Sequence, residues 1–195
     1  MTNREKIKVE ALKLFSENGY YQSSVRMIAQ KVGIRESAIY NHFPSKKAIF
    51  LELINDGKER SNASTFVNDK LLDKLSEPEK FFDLFAEEII ALWTTLEERM
   101  FTKMMIQAKF NSSVDFDLTL NDLFSSISEV LEIVFEQLSI YDYIKPYDKE
   151  LLTEQFLAPL IVLKFRFLIN NFFDEEQVLA YAKKHIRFFW DNIKK

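Results

Sequence analysis

The stretch GIRESAIYNHFPSKKAIF, residues 33–50, brings together Arg35, Asn41, His42, Lys46 and Lys47 with the hydroxyls of Ser37, Tyr40 and Ser45, beside a glycine and a proline. Cations, amides and hydroxyls are the groups that hold phosphate oxygens and read base edges. No nucleophile and base pair, glycine-rich phosphate loop or metal-ligand spacing accompanies them, so no catalytic residue is assigned and an enzyme is not expected. The chain has no cysteine, which excludes disulfides and thiolate metal sites, and His42 and His185 stand too far apart in sequence to suggest a metal cage. No cofactor is called for.

Elements able to position those groups are legible on both sides. Thr2 with Glu5 has the form of a capping box, and Ile7, Leu12, Leu14 and Phe15 give a first helix an apolar stripe that should end near Asn18 and Gly19. Ser23 or Ser24 can cap a second, short helix, VRMIAQKV, and Gly33 can supply the left-handed turn that ends it. A third short helix, ESAIYNHF, follows. Two short helices joined by a glycine turn and preceded by a covering helix are the sequence form of a helix-turn-helix. Ile28, Ala29, Ile34, Ile39 and Phe43 take its inward positions and are assigned to the core. Pro44 breaks the chain, and Ser45 can cap a long fourth helix running towards Val67.

Charge separates this head from the rest. The first 50 residues hold nine Lys or Arg against four Glu, a net of +5, whereas the remaining 145 hold 17 basic against 26 acidic residues, a net of −9. A basic head on an acidic body suits a head that meets a polyanion.

The stretch SSVRMIAQKVGIRESAIYNHFPSKKAIF resembles the DNA-binding domain of TetR-family (TetR/AcrR) transcriptional regulators: a serine or threonine, Ile-Ala, Gly-Ile, Tyr-x-His-Phe, then a lysine opening the next helix. The resemblance implies that Ser23 and Ser24 cap the second helix and reach phosphate, that Tyr40 and His42 touch the DNA backbone and that Lys46 neutralises a phosphate. It also implies that Arg35, Glu36, Ser37, Ala38 and Asn41 face the major groove. Members usually carry a small polar residue where Arg35 stands, and Arg is a poor cap. Glu36 is acidic beside DNA, although it can accept from a cytosine amino group.

With 47% hydrophobic and 14% aromatic residues, three glycines and four prolines, the remainder reads as long helices and the whole chain as all-α, about nine helices in total. The expected division is 1–46 for DNA binding and 47–195 for effector binding and dimerisation. Apolar residues on more than one side of the last two helices, Leu163 among them, place these helices either centrally in their domain or against a partner, and the resemblance implies the partner, a homodimer built from those helices. Pro159 should kink the first of them or remove one hydrogen bond. His185 is assigned to the core or the dimer face. Phe66, Phe85, Trp93, Met104 and Phe124 are the residues expected to line an effector pocket. The most apolar stretch, FLAPLIVLKFRFLI, is interrupted by Lys164 and Arg166, so no membrane span is expected and a cytoplasmic location is.

The expected function is therefore a dimeric repressor on a palindromic double-stranded DNA operator, released by a small apolar or amphipathic effector. A helical partner-binding protein, or a ligand-independent or activating regulator, is the alternative left open by the residues alone.

Overall fold

The computed structural model describes residues 1–63, 67–110, 121–169 and 174–195. Ten helices occupy them: α1 (Asn3–Asn18), α2 (Val25–Val32), α3 (Glu36–Ile39), α4 (Lys46–Arg60), α5 (Asp69–Leu72), α6 (Pro78–Thr94), α7 (Leu96–Phe110), α8 (Asn121–Ile140), α9 (Lys149–Ile169) and α10 (Glu175–Ile193). Among the described residues the only β-type pairing is an isolated bridge between Ile144 and Lys194. The all-α expectation holds. No helix among the described residues is long and apolar enough to cross a membrane.

The chain divides into two compact units. The first comprises residues 1–60 and 96–118, the second residues 61–95 and 119–195. Thus α4 and α7 belong with the helix-turn-helix, because both pack on α1. Gln107 of α7 donates from Nε2 to the Ser16 carbonyl at 3.1 Å. Gly57 of α4 makes a close crossing possible: a Cβ there would lie 2.2 Å from ring atoms of Phe101, a residue that is itself fully buried.

Local chemistry starts and stops these helices. Thr2 and Glu5 form the reciprocal capping box of α1, with Thr2 N donating to Glu5 Oε2 at 2.7 Å and Glu5 N donating to Thr2 Oγ1 at 3.3 Å. Gly33, at φ 78° and ψ 31°, adopts the left-handed conformation that ends α2 and gives its N–H to the Ala29 carbonyl. Asp174 caps α10 by accepting from the Glu176 and Gln177 amides.

The second unit is built on aromatic packing. Phe156 of α9 is fully buried and meets the rings of Phe82, Phe85, Phe135 and Phe189 at centroid distances of 5.2, 5.6, 5.9 and 5.3 Å. His185 lies against the same cluster with Nε2 3.0 Å from the Phe156 carbonyl, and burial holds its imidazole below the ordinary histidine value. It is half-buried at the edge of this cluster. Trp190 of α10 donates from Nε1 to Glu79 of α6 at 3.0 Å. Helix α9 continues through Pro159 without a break in its helical assignment, although the proline has no N–H to offer the Gln155 carbonyl.

Candidate nucleic-acid interface

Helices α2 and α3 and the turn between them make one surface of the first unit. Ile28, Ala29, Ile39 and Phe43 are buried, which fixes the inward sides of both helices and turns other positions outwards. Arg35, Glu36, Ser37, Tyr40 and Asn41 are exposed, Tyr40 by 51%, while Ala38 and His42 are half-buried.

The third helix is shorter than its apolar pattern predicts. It covers Glu36–Ile39, after which the His42 and Phe43 amides both donate to the Ile39 carbonyl at 2.9 Å, closing a turn ahead of Pro44. Arg35 occupies its N-cap without a side-chain cap hydrogen bond, consistent with the poor capping ability of arginine.

Two expected phosphate ligands are placed differently by the tertiary structure. Ser23 is 1% exposed, and its hydroxyl donates to the carbonyls of Gly19 at 2.8 Å and Leu14 at 3.2 Å. The side chain is thereby committed to the interior. The cap of α2 is Ser24 alone, whose Oγ accepts from the Met27 amide at 3.2 Å. Lys46 is half-buried, with Nζ donating to the carbonyls of Tyr20 at 2.7 Å and Ser23 at 2.8 Å and lying 4.1 Å from the centre of the Tyr20 ring. Burial holds its ammonium below the ordinary lysine value. Lys46 ties the start of α4 to the segment leading into α2, so it positions the surface and does not project from it.

The basic excess of the head is also partly used internally. Arg4 pairs with Glu52 and stacks over the Phe43 ring at 4.5 Å, and Lys8 reaches Asp56 at 2.7 Å and Glu52 at 3.4 Å, joining α1 to α4. Lys13 pairs with Glu10 at 2.7 Å. Exposed pairs of this kind contribute at most about 1 kcal/mol each. Their effect on function is to leave Lys6, Arg26, Lys31, Arg35 and Lys47 as the exposed cations of residues 1–50 without an ion pair among the described residues. Lys47, next to the buried anchor, is a phosphate candidate that the motif did not single out.

The expected effector residues have separate fates. Phe85 and Trp93 are 1% and 4% exposed in the core of the second unit. Met104 is buried within the first unit. Phe66 lies outside the described residues. Phe124, half-buried, borders a groove between α8 and α9.

Residues 7–53, which contain this surface, match the family model for bacterial regulatory proteins of the tetR family. Those residues form a tetR-family DNA-binding domain. Among curated relatives, the uncharacterized HTH-type transcriptional regulator YuxN of Bacillus subtilis is 45% identical over 56 residues, covering 28% of this chain and 19% of YuxN. The HTH-type transcriptional repressor Rv1474c of Mycobacterium tuberculosis is 33% identical over 82 residues, 40% of this chain and 43% of that protein. The chain thus spans less than half the length of either relative. The fold likeness extends further: the fatty acid degradation regulator FadR of Bacillus halodurans aligns with a TM-score of 0.73 at 17% identity, covering 97% of this chain and 95% of the other. The TetR-type architecture therefore applies to nearly the whole chain, while the sequence likeness to curated relatives is concentrated in part of it.

Proposed function

We propose that this chain is a dimeric transcriptional repressor of the TetR family that binds a palindromic DNA operator and is released from it by a small apolar or amphipathic ligand. The observation that carries the DNA-binding part is the exposed row Arg35, Glu36, Ser37, Tyr40 and Asn41 on a buried helix-turn-helix frame, flanked by the exposed cations Arg26, Lys31 and Lys47. Short polar side chains on α3 read base edges, and Ser24, Tyr40, His42 and Lys47 hold phosphates on either side. Lys46 enters as the anchor of this set. Repression is the role named for Rv1474c, and it comes to this chain as part of the proposal.

Binding to DNA selected from a random pool separates the two kinds of contact. Lys47→Ala is expected to weaken binding on all sequences alike and to reduce the salt slope by about one counterion. Asn41→Ala is expected to cost about 1–3 kcal/mol only on sites carrying the base it reads. Uniform loss for Asn41→Ala, measured by fluorescence anisotropy across salt concentrations, would remove it from base readout.

The dimer rests on a pair of stripes in the second unit. Leu151 and Val162 of α9 are 50% and 64% exposed, and Tyr181 and Phe188 of α10 are 52% and 69% exposed. In each helix the spacing keeps these positions on one face. Leu163, assigned to the partner face on sequence, is 9% exposed and belongs to the core of its own chain, so it is not the residue with which to test assembly. Val162→Glu with Phe188→Glu is expected to give monomers by analytical ultracentrifugation and to weaken operator binding. A wild-type protein that sediments as a monomer at micromolar concentration would remove the dimer from the proposal.

A further inference from the structure

Between α8 and α9 runs a groove of about 670 Å³, within the size range of small-molecule sites. The two helices are antiparallel. Lys149 of α9 reaches Glu136 of α8 at 3.2 Å near one end, and Lys164 of α9 lies 5.8 Å from the centre of the Phe124 ring near the other. This register sorts the lining. Glu132, Glu150, Thr153 and Glu154 lie towards the Glu136 end, and Phe124 and Ile161 towards the Lys164 end, with Glu129 and Leu157 between them.

The acidic end lacks counter-charge. None of Glu129, Glu132, Glu150 and Glu154 has an ion pair among the described residues, and carboxylates a helical turn apart repel one another. A second, independent feature lies in the same wall: Thr153 is 2% exposed, and its Oγ1 has no hydrogen-bond partner among the described residues. A buried hydroxyl left unpaired is costly and calls for an explanation. Among the described residues, no group of three His, Cys, Asp or Glu converges closely enough to hold a metal ion. Charge spread along a wall rather than focused on a point suits an organic cation. The buried Lys164 beside Phe124 disfavours a second positive charge at the far end and so orients such a ligand.

We propose that this groove binds an amphipathic organic cation, with a primary ammonium head among Glu132, Glu154 and the Thr153 hydroxyl and an aliphatic tail along Leu157, Ile161 and Phe124. The ammonium donates to the carboxylates and to Thr153 Oγ1. The tail covers apolar side chains along the eight residues from Glu132 to Phe124, about 12 Å of helix. The binding goes beyond the repressor reading, which assigns no site to its effector, and it is measured without DNA, so either claim can fail alone.

Titration calorimetry of the full chain with octylammonium chloride, and with octan-1-ol as the neutral molecule of matching tail, tests it. Octylammonium is expected to bind about tenfold tighter or better than octanol, and Glu132→Gln with Glu154→Gln to remove about that factor while leaving octanol nearly unchanged. Thr153→Val, close in shape, is expected to weaken octylammonium by roughly threefold to tenfold with little change in circular dichroism or melting temperature. Equal affinity for the two probes, an unchanged octylammonium affinity in the double glutamine variant, or no binding of octylammonium at millimolar concentration would overturn the proposal.

Discussion

Phe156→Ala is expected to lower the unfolding free energy by about 3–5 kcal/mol, the range for removing a buried aromatic ring from a well-packed core. The position is fully buried, and its ring meets four others at centroid distances between 5.2 and 5.9 Å. Each such pair adds about 0.5–1.5 kcal/mol beyond the area buried. The cavity would open where α6, α8, α9 and α10 converge, and neighbouring rings held on three other helices cannot all move inwards to close it. For a chain of this length the melting temperature is expected to fall by roughly 10 °C. Urea unfolding followed by circular dichroism gives the free energy directly, and a loss below about 1 kcal/mol would mean that the cluster collapses around the gap.

Lys46→Met is the second large effect, and it separates an anchor from a phosphate ligand. The substitution keeps much of the aliphatic stem but removes the donor to the Tyr20 and Ser23 carbonyls. Hydrogen bonds from a charged group contribute about 1.5–3 kcal/mol each, and the half-exposed setting places the total at the lower end, about 2 kcal/mol. Ser23 immediately precedes the cap of α2, so loosening this tie displaces the helix that supports the reading surface. DNA affinity is expected to drop by about tenfold on every sequence, with the salt slope unchanged because no phosphate contact is lost. In Lys47→Ala the slope itself should fall. A slope reduced by about one counterion in Lys46→Met would show that Nζ leaves the carbonyls for a phosphate when DNA is present.

Much of the first unit was legible because its signals are local. Capping by Thr2 and Glu5, by Ser24 and by Ser45 uses residues three positions apart, and the left-handed turn at Gly33 is a property of one residue. Ile28, Ala29, Ile39 and Phe43 were identifiable as core because helical periodicity and the helix-turn-helix spacing are written in the order of residues. The same locality made the all-α class readable, with few glycines and prolines and long apolar stripes.

What only tertiary structure decided involves partners distant in sequence. Lys46 finds its acceptors 26 and 23 positions earlier, and nothing in its neighbours distinguishes a lysine facing carbonyls from one facing phosphate. Ser23 and Ser24 are equivalent as cap candidates until burial turns Ser23 towards the Leu14 and Gly19 carbonyls. The adjacent Val162 and Leu163 sit on an apolar helix that offers no polar contrast to tell its sides apart, and only the surrounding helices make one 64% and the other 9% exposed. Gly57 marks a close crossing through the ring of Phe101, 44 positions away. By itself the sequence determined the long helices, most of the caps and the reading motif, since these follow from interactions within a few residues. Packing decided which of those residues became anchors, which remained exposed and where a groove opened, because burial is set by what the rest of the chain brings to each side.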